Sequence, residues 1–291
     1  MFIKAAIKST LPPKVLNFLA KVLNFLVLKK NQALLLAFKN TLELIGNKEI
    51  KLVDYPIFIV GCGHSVTSLM LAILDHHPSI YGIDYESNIF LKVRPLAPPL
   101  GIIKSFQKWG RSCLEANKKR WGEKTPRHIL HLPEIFFCYP NCRVIIMLRD
   151  GRDVAFSIKD RTGSFEQGIS GWVNDNLAGF PYWDDSRVKV IKYKNLVKNP
   201  QTTLQEVCDF IGEEYTQEML KYNEKPRDWY ASNTNARSHE KYRNWQINQP
   251  LFNGRNKWKR KINENEEEKQ IFKEKAQKYM IEFGYQIDDN W

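Results

Sequence analysis

The stretch Pro56–Met70, PIFIVGCGHSVTSLM, constrains this chain more than any other. Ile57-Phe58-Ile59-Val60 is a continuous apolar run, which is how a strand buried on both faces reads. Gly61-Cys62-Gly63-His64-Ser65-Val66-Thr67-Ser68 follows as a small, hydroxyl-rich turn, and Leu69 to Leu74 are strong helix formers. A strand, a glycine turn and a helix together make an anion cradle. Backbone N–H groups point into the turn, and the helix N-terminus adds partial positive charge.

The natural comparison is the phosphate loop GxxxxGK[ST] of nucleoside triphosphatases. Counted from Gly61, its second glycine and its lysine would fall where this chain has Val66 and Thr67. The loop can hold a phosphate but lacks the lysine that reaches a γ-phosphate. A nucleotide whose transferable group sits on the 5′-phosphate fits better. A purely structural strand-turn-helix corner stays open.

The formal charge of +12 points to an anionic partner, whether nucleotide, sulfated or phosphorylated polymer, nucleic acid or membrane surface. A hydrophobic content of 43% suffices for a real core. The five cysteines, Cys62, Cys113, Cys138, Cys142 and Cys208, are odd in number and irregular in spacing. That argues against a disulfide framework and for a reducing, cytoplasmic setting. Cys138 and Cys142 have no second pair to complete a zinc site, so no metal is expected.

Residues 1–50 form a basic, apolar lead, set apart from a main domain over 51–291. Lys14-Val15-Leu16-Asn17-Phe18-Leu19-Ala20 is echoed by Lys21-Val22-Leu23-Asn24-Phe25-Leu26-Val27. On a helix, Lys14, Asn17, Lys21 and Asn24 make one narrow polar stripe. Lys21 interrupts the run, which argues against a spanning helix. Two readings stand: a helix packed on the core, or an interfacial helix that gives residues 1–30 a peripheral membrane contact.

After the loop, Asp75-His76-His77-Pro78 reads as a surface turn, and Ile80-Tyr81-Gly82-Ile83 as a short strand. Glu86 follows it, where α/β sheets place chemistry. A proline-bearing loop and a helix fill 91–120, and Trp121 to Pro126 reads as a compact turn. Arg143-Val144-Ile145-Ile146-Met147-Leu148 is a second strong strand, with Arg149 at its carboxyl edge and a helix from Val154 to Lys159. A helix returning beside its strand lets Arg149, Ser157 and Arg161 converge on one anion. Residues 162–187 read as a loop with a short helix, Val188–Tyr193 as a third strand, and 224–262 as a long basic loop.

GCGHSVTSLM, YESNIF, RVIIMLRDGRDVAFSIKDR, IKYKNLVKNP, GRNKWK and a terminal EFGY, in this order, resemble the sulfotransferases that use 3′-phosphoadenosine 5′-phosphosulfate (PAPS). The nearest branch resembles the tyrosylprotein and bacterial carbohydrate type, over roughly residues 55–285. The resemblance implies an α/β, P-loop-like three-layer fold with a central parallel sheet flanked by helices. It implies that Gly61 to Ser68 hold the 5′-phosphate through the backbone and Ser65, Thr67 and Ser68. It implies that Arg149, Ser157 and Arg161 hold the 3′-phosphate, and that Tyr193, Arg255, Lys257 and Trp258 make further nucleotide contacts. Glu86 matches the catalytic base, and Lys124 in GEKTP lies near the sulfuryl group. His64 stands where the family has Arg or Lys and is expected to serve as the cationic donor to the leaving phosphate.

Val66 stands where the family has Gly. A β-branched residue resists positive φ, so the loop either keeps φ negative there or is distorted. The implied partners are PAPS or its product PAP and a carbohydrate, lipid-linked or protein acceptor, with no nucleic acid. Two other classes stay open: a Mg²⁺-dependent kinase or NTPase with a degenerate loop, and a non-catalytic polyanion binder.

Overall fold

The computed structural model describes residues 55–91, 98–224, 244–245, 247–251, 258–262 and 265–285. The expectations for residues 1–50, for Arg255 and Lys257 and for most of the basic loop lie outside them. Five parallel strands form one sheet: β1 (Ile57–Gly61), β2 (Ile80–Gly82), β3 (Arg120–Lys124), β4 (Arg143–Leu148) and β5 (Val188–Lys192), in the spatial order β2-β3-β1-β4-β5. β1 runs between β3 and β4, with Ile57 opposite both Gly122 and Arg143.

The continuous apolar run of β1 is used on both faces. Ile57 and Ile59 pack with helix α1 (Thr67–Asp75) and with the apolar side of α7 (Pro200–Ile211). Phe58 and Val60 pack with α2 (Pro98–Glu115), a 3₁₀ turn (Pro126–His131) and α3 (Leu132–Cys138). That second face is aromatic: Trp121 meets Phe58 edge-on at 5.4 Å and Trp109 at 5.0 Å between ring centroids. A third apolar cluster lies past the end of β4, among α4 (Gly151–Thr162), α5 (Phe165–Gly179), α8 (Trp258–Ile262) and α9 (Glu266–Glu282). This is the expected α/β arrangement of helices on both faces of a parallel sheet.

Several local expectations are corrected. Trp121 to Lys124 is not a turn but part of interior strand β3, so Val188–Lys192 is the fifth strand rather than the third. Tyr193 does not end β5; it opens the short helix α6 (Tyr193–Lys198). Residues 165–179 form one helix, with Gly168 set where a Cβ would come within 2.7 Å of the Ala155 backbone. The helix after β4 is a turn longer at each end than Val154–Lys159, capped by the Asp150 side chain on Arg152 N–H and by Gly163 at φ 80°. His77 is buried rather than a surface turn residue, bonded to the Glu214 carbonyl at 2.8 Å and accepting from Ser79 N–H. Among the described residues no helix is long and apolar enough to cross a membrane.

Candidate active site

Sheet order places the site. The chain leaves β1 to cross β3 toward β2, and leaves β4 toward β5 on the other side. The connections part between the carboxyl ends of β1 and β4, where open α/β sheets form their ligand crevice. The glycine turn stands at the end of β1 and Arg149 at the end of β4.

Gly61 has φ 144°, and a Cβ there would lie 2.5 Å from the Met147 carbonyl oxygen of the neighbouring strand, so only glycine fits. His64 and Val66 both sit in the left-handed region, at φ 68° and 70°. Of the two alternatives for Val66, the loop takes the strained one. Val66 is the N-cap of α1, and no side chain caps that helix. The first-turn amides of Thr67, Ser68 and Leu69 precede the first intrahelical bond, Met70 N–H to Val66 C=O. The Ser65 hydroxyl is fully buried and has no hydrogen-bond partner among the described residues. Buried hydroxyls are ordinarily satisfied, so this one fits an anion held in the cradle.

Two other loop amides are committed inside the protein. Ser65 N–H donates to the Cys62 carbonyl at 3.1 Å, and Gly63 N–H donates to the buried carboxylate of Asp175 on α5. The Cys62 thiol also donates to Asp175; burial, with Asp175 alongside, pushes that thiol well above its ordinary pKa. Burial likewise raises the Asp175 carboxyl, against the pull of Arg127 and of the two hydrogen bonds. A carboxylate thus braces the cradle from behind.

The loop is tied to β4 and α4. His64 Nδ1 lies 2.7 Å from Ser157 Oγ, and Arg149 donates to the His64 carbonyl at 3.1 Å. The Arg149 guanidinium also stands 5.5 Å from the centre of the buried Tyr193 ring, and its own carbonyl accepts from Trp172 Nε1 at 3.0 Å. Arg161 is exposed one turn beyond Ser157 on the same side of α4. Trp258 is buried under the Arg152 guanidinium at 3.9 Å, and its backbone N–H donates to Asp153 Oδ1 at 3.2 Å. It therefore fastens α8 to α4.

On the other side of β1, Lys124 at the end of β3 donates to Glu86 at 2.5 Å. Lys124 is almost wholly buried, and Glu86 is a quarter exposed. The residues expected as base and as sulfuryl contact are therefore direct partners. The sequence reading missed Asp175, which lies in a segment taken for loop. Glu123 is equally hidden, because GEKTP reads as a turn.

A family model for the sulfotransferase family matches residues 104–217. A Caenorhabditis briggsae protein carrying the name "Putative protein-tyrosine sulfotransferase" is 27% identical over 202 residues, 58% of this chain and 69% of the relative. A Caenorhabditis elegans protein of the same name is 25% identical over 119 residues, 36% of this chain and 44% of its own length. The sulfotransferase domain from the Synechococcus PCC 7002 olefin synthase shares the fold, with a TM-score of 0.50 at 16% identity, over 72% of this chain and 88% of that one. The family match runs through β3, β4 and β5 and so takes in the strand ends that carry Lys124, Arg149 and Tyr193; over these residues the chain is similar to the sulfotransferase family.

Proposed function

We propose that the chain moves the sulfuryl group of PAPS to a hydroxyl or amine of an acceptor, in line and with Glu86 as base. The observation that carries this reading is the uncapped start of α1 beside the buried, unpartnered Ser65 hydroxyl, tied through His64 to Arg149 and Ser157. One end of that constellation suits a 5′-phosphosulfate and the other a 3′-phosphate. The sulfur–oxygen bond to the 5′-phosphate breaks as the acceptor oxygen bonds to sulfur. The acceptor proton passes to the Glu86 carboxylate, and PAP leaves. Charge developing on the leaving oxygen is met by the α1 amides and by His64, and charge on the sulfuryl oxygens by Lys124.

The test is transfer from PAPS carrying labelled sulfate, screened over carbohydrate, lipid-linked and peptide acceptors. The names of the worm relatives make tyrosine-containing peptides the first to try. Label transfer with stoichiometric PAP is expected. Mg²⁺-dependent ATP hydrolysis without PAP binding would overturn the reading. Glu86→Gln should lower turnover about 10²–10⁴-fold while PAP affinity stays near wild type.

A further inference from the structure

The backbone ladder between β2 and β3 ends at Gly82 opposite Gly122, with a last rung from Ile83 N–H to the Gly122 carbonyl at 2.8 Å. Beyond it, side chains take over. Residues 86 to 88 are gripped by three consecutive residues at the end of β3: Glu86 by Lys124, Ser87 by Glu123 and Asn88 by Thr125. Glu123 is the centre of this clamp and is fully buried. Its Oε1 accepts from the Ser87 hydroxyl at 2.8 Å, from the Thr125 hydroxyl at 2.6 Å and from Ser87 N–H at 3.3 Å. Its Oε2 lies 3.1 Å from His128 Nδ1.

Because an ionised carboxylate only accepts, it fixes the direction of both hydroxyls. Each gives its proton to Glu123 and keeps a lone pair for a backbone amide. Thr125 Oγ1 accepts from Asn88 N–H at 3.3 Å, and Ser87 Oγ accepts from Ile89 N–H at 3.4 Å. Burial works against the ionised form, but His128 and the hydrogen bonds from Thr125 and Ser87 outweigh it, and the Glu123 carboxyl stays below its ordinary range.

We propose that Glu123 is a positioning residue that sets the Ser87–Asn88 turn and thereby holds Glu86 against Lys124 at the site. The inference rests on the reading of Glu86 as base. A carboxylate buried this deeply contributes nothing to an acceptor directly; it acts through the turn it orients.

The experiment uses the full chain and Glu123→Gln, with Ser87→Ala as the milder variant should the first fail to fold. Three quantities are read: hydrogen exchange at the amides of residues 87–89, PAP affinity, and PAP release from PAPS in the wild-type and Glu86→Gln backgrounds. Exchange at 87–89 should rise about tenfold or more, PAP affinity should stay within about twofold, and PAP release should fall about tenfold or more. In the Glu86→Gln background the same change should cost less than about twofold, because two groups acting as one unit do not add. Equal losses in both backgrounds, or unchanged PAP release in both variants, would overturn the proposal. If Glu86→Gln alone leaves PAP release intact, the base reading fails. Exchange at 87–89 then decides the clamp by itself: faster exchange supports it and unchanged exchange overturns it.

Discussion

His64 Nδ1 and Ser157 Oγ lie 2.7 Å apart across ninety-three residues of chain, joining the loop after β1 to the helix after β4. The imidazole therefore does more than pack within its own turn. It links the loop after β1 with the helix after β4, the two parts proposed to take the 5′-phosphate and the 3′-phosphate.

This link makes His64 testable. An imidazole beside a bound phosphosulfate is favoured as the cation, because nearby negative charge stabilises it. Turnover should then fall on the alkaline side as His64 loses its proton. His64→Lys should stay active and flatten that limb, and His64→Ala should lose about tenfold or more in rate at every pH. The measurement is PAP release against pH. An unchanged profile in His64→Lys, or near-normal rates in His64→Ala, would leave His64 with a packing role only.

Arg149 makes two contacts at once, to the His64 carbonyl and to the face of Tyr193. Its charge should matter most for a ligand with a 3′-phosphate. A charge-assisted contact contributes about 1.5–3 kcal/mol. Arg149→Ala should lower PAP affinity about tenfold or more, and should weaken adenosine 5′-phosphosulfate, which lacks the 3′-phosphate, far less. Calorimetric titration with both ligands decides it. Equal loss for the two would move the 3′-phosphate elsewhere.

Gly61 and Gly63 are two residues apart and should behave oppositely. Gly61 has no room for a Cβ and a φ of 144°, whereas nothing lies within 4 Å of a Cβ built on Gly63. Backbone strain of this kind costs on the order of 1–3 kcal/mol, before the clash with Met147 is added. Gly61→Ala should destabilise the fold strongly and lower the denaturation midpoint, and Gly63→Ala should cost less than about 1 kcal/mol of stability. Similar midpoints for the two variants would contradict the described turn.

What the sequence hid was mostly charge in buried places. β1 and β4 are legible because every residue between Ile57 and Val60, and between Val144 and Leu148, is apolar. β3 is just as interior, yet with Glu123 and Lys124 beside Gly122 and Pro126 it reads as a turn. Its carboxylate is satisfied by the nearby Thr125 and His128 and by Ser87, and its ammonium by Glu86, the last two brought there by the fold. Helix α5 was obscured the same way: Gly168 and the run Asn174-Asp175-Asn176 suggest a turn. The glycine is there for close packing on Ala155, and Asp175 for the loop after β1. The loop itself was readable from its glycines and hydroxyls, but the positive φ of Val66 was not decidable from residue type.

Asp175 gives the last prediction, and its sign is opposite to that of most buried carboxylates in ion pairs. Its carboxyl is raised in the folded protein by burial, with Arg127 and the hydrogen bonds from Cys62 and Gly63 opposing. A raised folded-state value means that the folded chain holds this proton more tightly than the unfolded chain. Its contribution to stability is then fully present below the unfolded carboxyl value of about 3.9 and is lost as pH rises through the folded value. Glu123, held low, works in the other direction, losing its contribution as pH falls. It is present in both chains when Asp175→Asn is compared with wild type, so it cancels. Asp175→Asn keeps an acceptor oxygen for Gly63 N–H and removes the charge. The Tm of the variant relative to wild type should therefore rise as the pH is raised from about 3.9 through the folded value. Removing a negative charge from behind the cradle should also tighten PAP binding at neutral pH by a few fold. Scanning calorimetry across that range and PAP titration at neutral pH test both. A Tm difference that stays flat or falls as pH rises would mean that burial does not raise the Asp175 carboxyl. Weaker PAP binding would mean that its carboxylate shapes the loop more than it repels the ligand.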